Sequence, residues 1–309
     1  MPEPNRQSWF VILPFCFWGT AMVVMKAVIP QVSPLTLAAL RLLPAGILLL
    51  LAAKLWGRSF PQGWRPWLWI CLFALVDGTM FQGFLCLGLT HTGAGLGSLL
   101  IDSQPLAVAV LASWFYGEAI GTVAIAGLLL GVVGIGLVGL PPQFWQPGFD
   151  LWQKGLFGTG EWLMLAASLS MAFGTILIRP VVRHADPLVA TGWHMVLGSI
   201  PLLVLGSIYE PWQSLDVWSW LGLGYVSIFG SAIAYGLFFW FAASGNLTTL
   251  SALTFSTPIF ALLFSGLTLH ESLRGVQWLG VALTLCSIYL VSAKPVKGAK
   301  LIEEKINSV

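Results

Sequence analysis

Long apolar runs alternate with short polar joints along the whole chain, and the runs are far too long for strands. Ten of them come close to the roughly 20 residues that a helix needs to cross the hydrocarbon core of a bilayer. In the first half they are Ser8–Ala27, Pro34–Ala53, Trp67–Leu87, Gly95–Phe115 and Ile120–Leu140. In the second half they are Gly160–Arg179, Pro187–Ile208, Trp218–Phe241, Leu247–Leu267 and Val276–Ala293. Ser8–Ala27 is rich in Trp and Phe and runs on into further apolar sequence, so it reads as a first span and not as a cleaved leader. The pattern predicts an all-α polytopic membrane protein with ten transmembrane helices.

The two halves repeat. Gly97–Glu118 reads GSLLIDSQPLAVAVLASWFYGE, and Leu250–Glu271 reads LSALTFSTPIFALLFSGLTLHE. One constant shift pairs Pro34 with Pro187, Trp67 with Trp220, Gly83 with Gly236, Pro105 with Pro258 and Glu118 with Glu271. Rare residues that hold one register over so long a stretch indicate duplication. Five spans per copy is an odd number, so the second copy enters the membrane inverted, as in many secondary transporters. The expected organisation is a first repeat over 1–140, an external linker over 141–159, a second repeat over 160–294 and a cytoplasmic tail over 295–309.

Composition removes the soluble alternative. Hydrophobic residues make up 57% of the 309 and charged residues only 8%, where soluble domains carry about 25% charged. A net charge of +2 gives no footprint for nucleic acid. With the N-terminus inside, ten Lys and Arg fall on the cytoplasmic side and three outside, with Arg41 inside a span. Both termini are therefore expected in the cytoplasm. Cys16, Cys71, Cys86 and Cys286 are scattered through apolar runs, without metal or disulfide spacing, and read as small core residues.

Several stretches resemble the EamA family of the drug/metabolite transporter superfamily. Phe17–Ala27, FWGTAMVVMKA, resembles that family's opening span. Ser33–Ala53, SPLTLAALRLLPAGILLLLAA, resembles its second span, with Arg41 at the family's arginine. The Pro105 span and Gly117–Glu118 resemble the junction of its fourth and fifth spans. The second copy departs from the pattern, with His194 in the place of the arginine and Phe173-Gly174-Thr175 near that of the opening motif. The resemblance covers nearly the whole chain. It implies ten helices as two five-helix repeats and transport of small metabolites, commonly export. The chain is expected in a bacterial inner (plasma) membrane.

Arg41, Asp77 and Asp102 are the costly residues, at about 2.5–3.5 kcal/mol each at a helix centre, so they face the bundle interior. Arg41 is expected to hold one carboxylate through a paired hydrogen bond. The other carboxylate is left for a proton, water or a substrate amine. Pro105 frees the carbonyl of Ile101 and Pro258 that of Thr254, and both breaks are expected to border a cavity. Asp102 adjoins the first break, and Phe255 takes its place at the second. Trp18, Trp193, Tyr235 and Phe255 are candidate cavity aromatics, with Gln82 and His194 as candidate polar contacts. Glu118 and Glu271 are expected to oppose the positive ends of the fifth and tenth helices.

The leading function is secondary transport, as an exporter of amino acids or related amines by alternating access around a midplane cavity, by a monomer or homodimer. A nucleotide-sugar or organophosphate exchanger is the alternative within transport, and a non-transporting scaffold or receptor the alternative outside it. No nucleotide-hydrolysis, metalloprotease or hydrolase motif is present, and the reading calls for no catalytic residue, metal or cofactor.

Overall fold

The computed structural model describes residues 10–92, 100–139, 158–211, 214–269 and 275–292. Glu271, most of the expected linker and the C-terminal tail lie outside the described residues. Among those described, the chain is helical throughout. The helices are α1 (Leu13–Val28), α2 (Pro34–Leu55), α3 (Trp64–His91), α4 (Gln104–Tyr116), α5 (Thr122–Gly139), α6 (Thr159–Val182) and α7 (Pro187–Tyr209). Next, α8 joins Val217–Ser227 to Ala234–Ser244, and α9 joins Leu247–Ala252 to Thr257–Leu269. The last, α10, spans Gly275–Ser292. Five of these, α2, α3, α6, α7 and α8, are long and apolar enough to cross a membrane, and α1, α5, α9 and α10 contain shorter apolar segments.

Local chemistry sets the helix ends. Ser33 and Asp186 precede α2 and α7, and each helix opens on proline, which lacks the N–H that a first turn would leave unpaired. Asp186 Oδ1 accepts from the backbone N–H of Leu188 at 2.9 Å, and Asn246 Oδ1 from that of Thr249 at 2.7 Å. Gly117, at φ 64°, closes α4 in the left-handed conformation that glycine adopts at little cost.

The repeat register holds at the level of elements. Shifted by 153 positions, as Gln82 is to Tyr235, α4 coincides with Thr257–Leu269 and α5 with α10. Helix α3 carries a π-helical segment at Ala74–Phe81, and α8 carries one at Ile228–Ile233, inside the shifted window.

Equivalent helices also pack on each other. A Cβ on Gly46 of α2 would stand 2.7 Å from the Gly192 carbonyl oxygen of α7, and one on Gly206 would stand 3.0 Å from Thr36 Oγ1. Numbers rise along α2 as they fall along α7, so the two run antiparallel. The same holds for α5 and α10, where Gly127 faces Leu290 and Gly134 faces Thr284. Helices surrounded by lipid gain little from burying apolar area and associate through close packing of small residues. Glycine at these crossings allows that approach. Phe255 is fully buried at the second crossing, where a Cβ on Gly131 would collide with its ring. It therefore fills the seam as a packing residue.

Large apolar side chains such as Leu55, Trp114, Trp162 and Trp218 cover the outside. Cys71 and Cys286 lie on that exposed face, against the expectation of four core cysteines; Cys86 alone of the four is fully buried. Their helices turn those positions outward, and a thiol is apolar enough to sit there.

Candidate functional site

The buried polar residues gather where α2 and α7 meet the π-helical segments. Arg41 donates from Nε to Ser231 Oγ at 3.1 Å and from Nη1 to the Met25 sulfur at 2.9 Å. Its backbone carbonyl accepts from Ser227 Oγ at 2.9 Å. At the equivalent position of the second repeat, His194 Nε2 lies 3.1 Å from Asp77 Oδ2. Each second helix thus grips the π-helical segment of the other half. The expected Arg41 grip on a carboxylate is replaced by a hydroxyl and a thioether, because Asp77 turns to the histidine across the seam.

Gln82 and Tyr235 are equivalent residues, and they touch. Gln82 Nε2 donates to the Tyr235 hydroxyl at 2.9 Å. Antiparallel copies bring equivalent positions together only near the axis that relates them, so this contact marks the middle of the molecule. Aromatic rings wall it. Trp18 lies 4.9 Å from the Tyr235 ring and 5.1 Å from Phe238. His194 stacks on Phe73 at 4.2 Å and meets Phe239 edge-on at 5.6 Å.

Three buried polar atoms at this centre have no hydrogen-bond partner: Asp77 Oδ1, Gln82 Oε1 and Trp18 Nε1. Leaving such an atom unpaired costs about 1–3 kcal/mol. Two acceptors and one donor, set among aromatic faces, suit a small solute with N–H groups, an oxygen acceptor and an apolar body. Gly174 lets the Asp77 carboxylate pack closely on one side, since a Cβ there would strike it.

The other candidates make different contacts. Asp102 is buried immediately before the interruption that precedes Pro105, where Leu106 N donates to Ser103 O at 3.0 Å and α4 restarts at Gln104. It is engaged by an interaction within the fold. Pro258 follows the tight turn Leu253–Ser256 in α9 in the same way. Trp193 packs edge-on against Trp67, 5.0 Å away, on the α3–α7 flank. Glu118 does not oppose the start of α5. It accepts from Arg179 at 2.7 Å, Thr248 Oγ1 at 3.0 Å and Asn246 Nδ2 at 3.2 Å, tying the end of α4 to α6 and to the start of α9. The turn after Gly117 aims it there.

The signature of the EamA-like transporter family matches residues 6–140 and again residues 158–293. The chain belongs to that family. It is 55% identical over 298 residues to an uncharacterised transporter of Synechocystis, covering 94% of this chain and 90% of the relative. It is 51% identical to a WAT1-related chloroplastic protein of Arabidopsis thaliana, covering 94% and 70%. A Salmonella typhimurium protein named as a probable amino-acid metabolite efflux pump is 25% identical, covering 93% and 94%. A solved crystal structure superposes with a TM-score of 0.80 at 17% identity, covering 97% of this chain and 99% of that one, which shows the shared fold. The chain is a membrane transporter of the drug/metabolite type.

Sequence reasoning missed Met25, Phe73, Phe239 and Ser231. Met25 and Phe73 lie on apolar faces with nothing to distinguish them. The repeat shift could have found Ser231, since it sits beside the counterpart of Asp77.

Proposed function

We propose that this transporter moves amino acids or related amines outward across a bacterial inner membrane by alternating access. In this reading ten helices cross the bilayer as two inverted five-helix repeats, with both termini in the cytoplasm. The substrate binds at the buried centre. Its ammonium group faces Asp77 Oδ1 and Gln82 Oε1, a carboxylate or carbonyl oxygen takes the Trp18 N–H, and its side chain lies among Trp18, Tyr235 and Phe238. The three unpartnered polar atoms carry this reading. The name of the Salmonella relative agrees with it. An organophosphate would want free cations, and the central guanidinium of Arg41 already donates to Ser231 and Met25.

The test is uptake by proteoliposomes offered a panel of radiolabelled amino acids, amines, nucleotide sugars and organophosphates. Amino acids or amines should be taken up by the wild-type protein, and Asp77→Asn and Gln82→Ala should lose most of that flux at matched protein level. Flux confined to phosphorylated solutes, or undiminished flux in both variants, would sink the reading.

A further inference from the structure

We infer that Asp77 and His194 form a proton-binding site whose occupancy holds the two repeats together, so that release of this proton is coupled to their relative movement. The inference rests on the transporter reading above.

His194 Nδ1 lies 2.6 Å from the backbone carbonyl oxygen of Thr191. A carbonyl only accepts, so Nδ1 carries hydrogen. In the neutral ring Nε2 is then a bare lone pair. Yet Nε2 stands 3.1 Å from Asp77 Oδ2, with His194 1% and Asp77 0% exposed. A lone pair facing a carboxylate in a dry interior is repulsive, so the contact requires one further proton. Whether it resides on Nε2 or on Oδ2, the pair is neutral overall and joined by a hydrogen bond. Handing that proton to water leaves a neutral imidazole with its Nδ1–H and a naked carboxylate. The attraction is lost, and a buried charge must find solvent or another donor.

The surroundings make this contact the titratable one. The π-helical segment of α3 contributes Asp77, and α7 contributes His194. The rest of α3 presents Phe73 and, further along, Cys86. From α8 come Tyr235, which accepts from Gln82, and Phe239. From α6 comes Gly174. From α2 comes Arg41, engaged by Ser231 and Met25 and charged at every accessible pH. Of the two equivalent cross-repeat grips, the one through Arg41 is permanent, and the one through His194 depends on a proton that can be given up. Asp77 Oδ1 is also one of the three unpartnered atoms, so proton and substrate meet at one carboxylate.

The test needs no substrate, so its failure would leave the transport reading standing and can be told apart from a failure of the flux assay. Wild-type protein with ¹⁵N-labelled histidine is followed in nanodiscs from about pH 5 to about pH 9, a window spanning the ordinary histidine range. The His194 signal is assigned by its absence in His194→Asn. In parallel, spin labels at Trp56→Cys and Arg183→Cys report the separation of the repeats at one end of the bundle. Nδ1 should stay protonated throughout. The shared proton should leave as pH rises, and the label distance should change with the same midpoint. In Asp77→Asn the distance should no longer respond to pH. A His194 signal without titration, or a titration with the wild-type label distance constant, would overturn the inference, and both readouts stand even if Asp77→Asn fails to fold.

Discussion

Gln82 and Tyr235 show what a single contact can carry. The bond joins equivalent residues, so it tests the seam between the copies and little else. A double-mutant cycle with Gln82→Ala and Tyr235→Phe should return a coupling of about 0.5–1.5 kcal/mol in thermal or denaturant unfolding in detergent. Additive costs would show that the two side chains do not interact. Arg41 gives a different expectation. Lysine supplies charge but cannot donate to Ser231 Oγ and the Met25 sulfur from two separate nitrogens at once. Arg41→Lys should lose about 1.5–3 kcal/mol, the range for a hydrogen bond to a charged group. Retention of wild-type melting temperature would remove the geometric role. At this scale the sequence was half legible. Arg41, Asp77, His194 and Gln82 stand out as costly polar residues in apolar runs. Their partners do not, because which polar residues meet across two antiparallel copies depends on helix rotation, which spacing alone leaves open.

Interruptions decide what the elements do. The breaks before Pro105 and Pro258 were legible, since proline removes an N–H wherever it falls. The π-helical segments in α3 and α8 carry no such mark in their letters, and only their recurrence at one register shows them to be built in. Extra residues inserted in a helical turn often accompany functional sites, and here one of them presents Asp77. The glycine-lined crossing of α5 and α10 offers a sharper check. Gly131→Ala would push a methyl into the Phe255 ring and, at 2.6 Å, into Ser287 Oγ. It should cost about 1–3 kcal/mol in overpacking, read as a lower midpoint of unfolding, and Phe255→Leu should recover part of the loss in the double variant. Equal stability of Gly131→Ala and wild type would mean that the seam is looser than it stands.

Beyond the central contacts, polar ties between helices also gather at two ends of the molecule. Glu210 accepts from the N–H groups of Leu35 at 2.8 Å and Thr36 at 2.9 Å at one end. At the other, Arg58 lies 3.6 Å from Asp186 and Arg179 holds Glu118 at 2.7 Å. The second end carries the basic residues that the distribution of Lys and Arg assigns to the cytoplasm. A cysteine at Arg58 should react with an impermeant thiol reagent only from the cytoplasmic side, and one at Ser214 only from outside. Reaction of both from the same side would contradict the inverted arrangement. The fold was more legible than the site because duplication and apolar length are carried by many residues, and the site by few.

Antiparallel pairing of equivalent helices has a thermodynamic consequence. When two copies related by such an axis trade conformations, an outward-facing shape becomes an inward-facing one. Positions occupied alike in both copies, such as Pro105 and Pro258, contribute equally to the two shapes and cancel from their difference. Only the unlike positions remain, among them Arg41 against His194, Asp77 against Gly230, Gln82 against Tyr235 and Asp102 against Phe255. In the alternating-access cycle proposed for this chain, the share of time spent open to each side is therefore written in the mismatches, and exchanging the two residues of one buried polar mismatch should move that balance toward the opposite side.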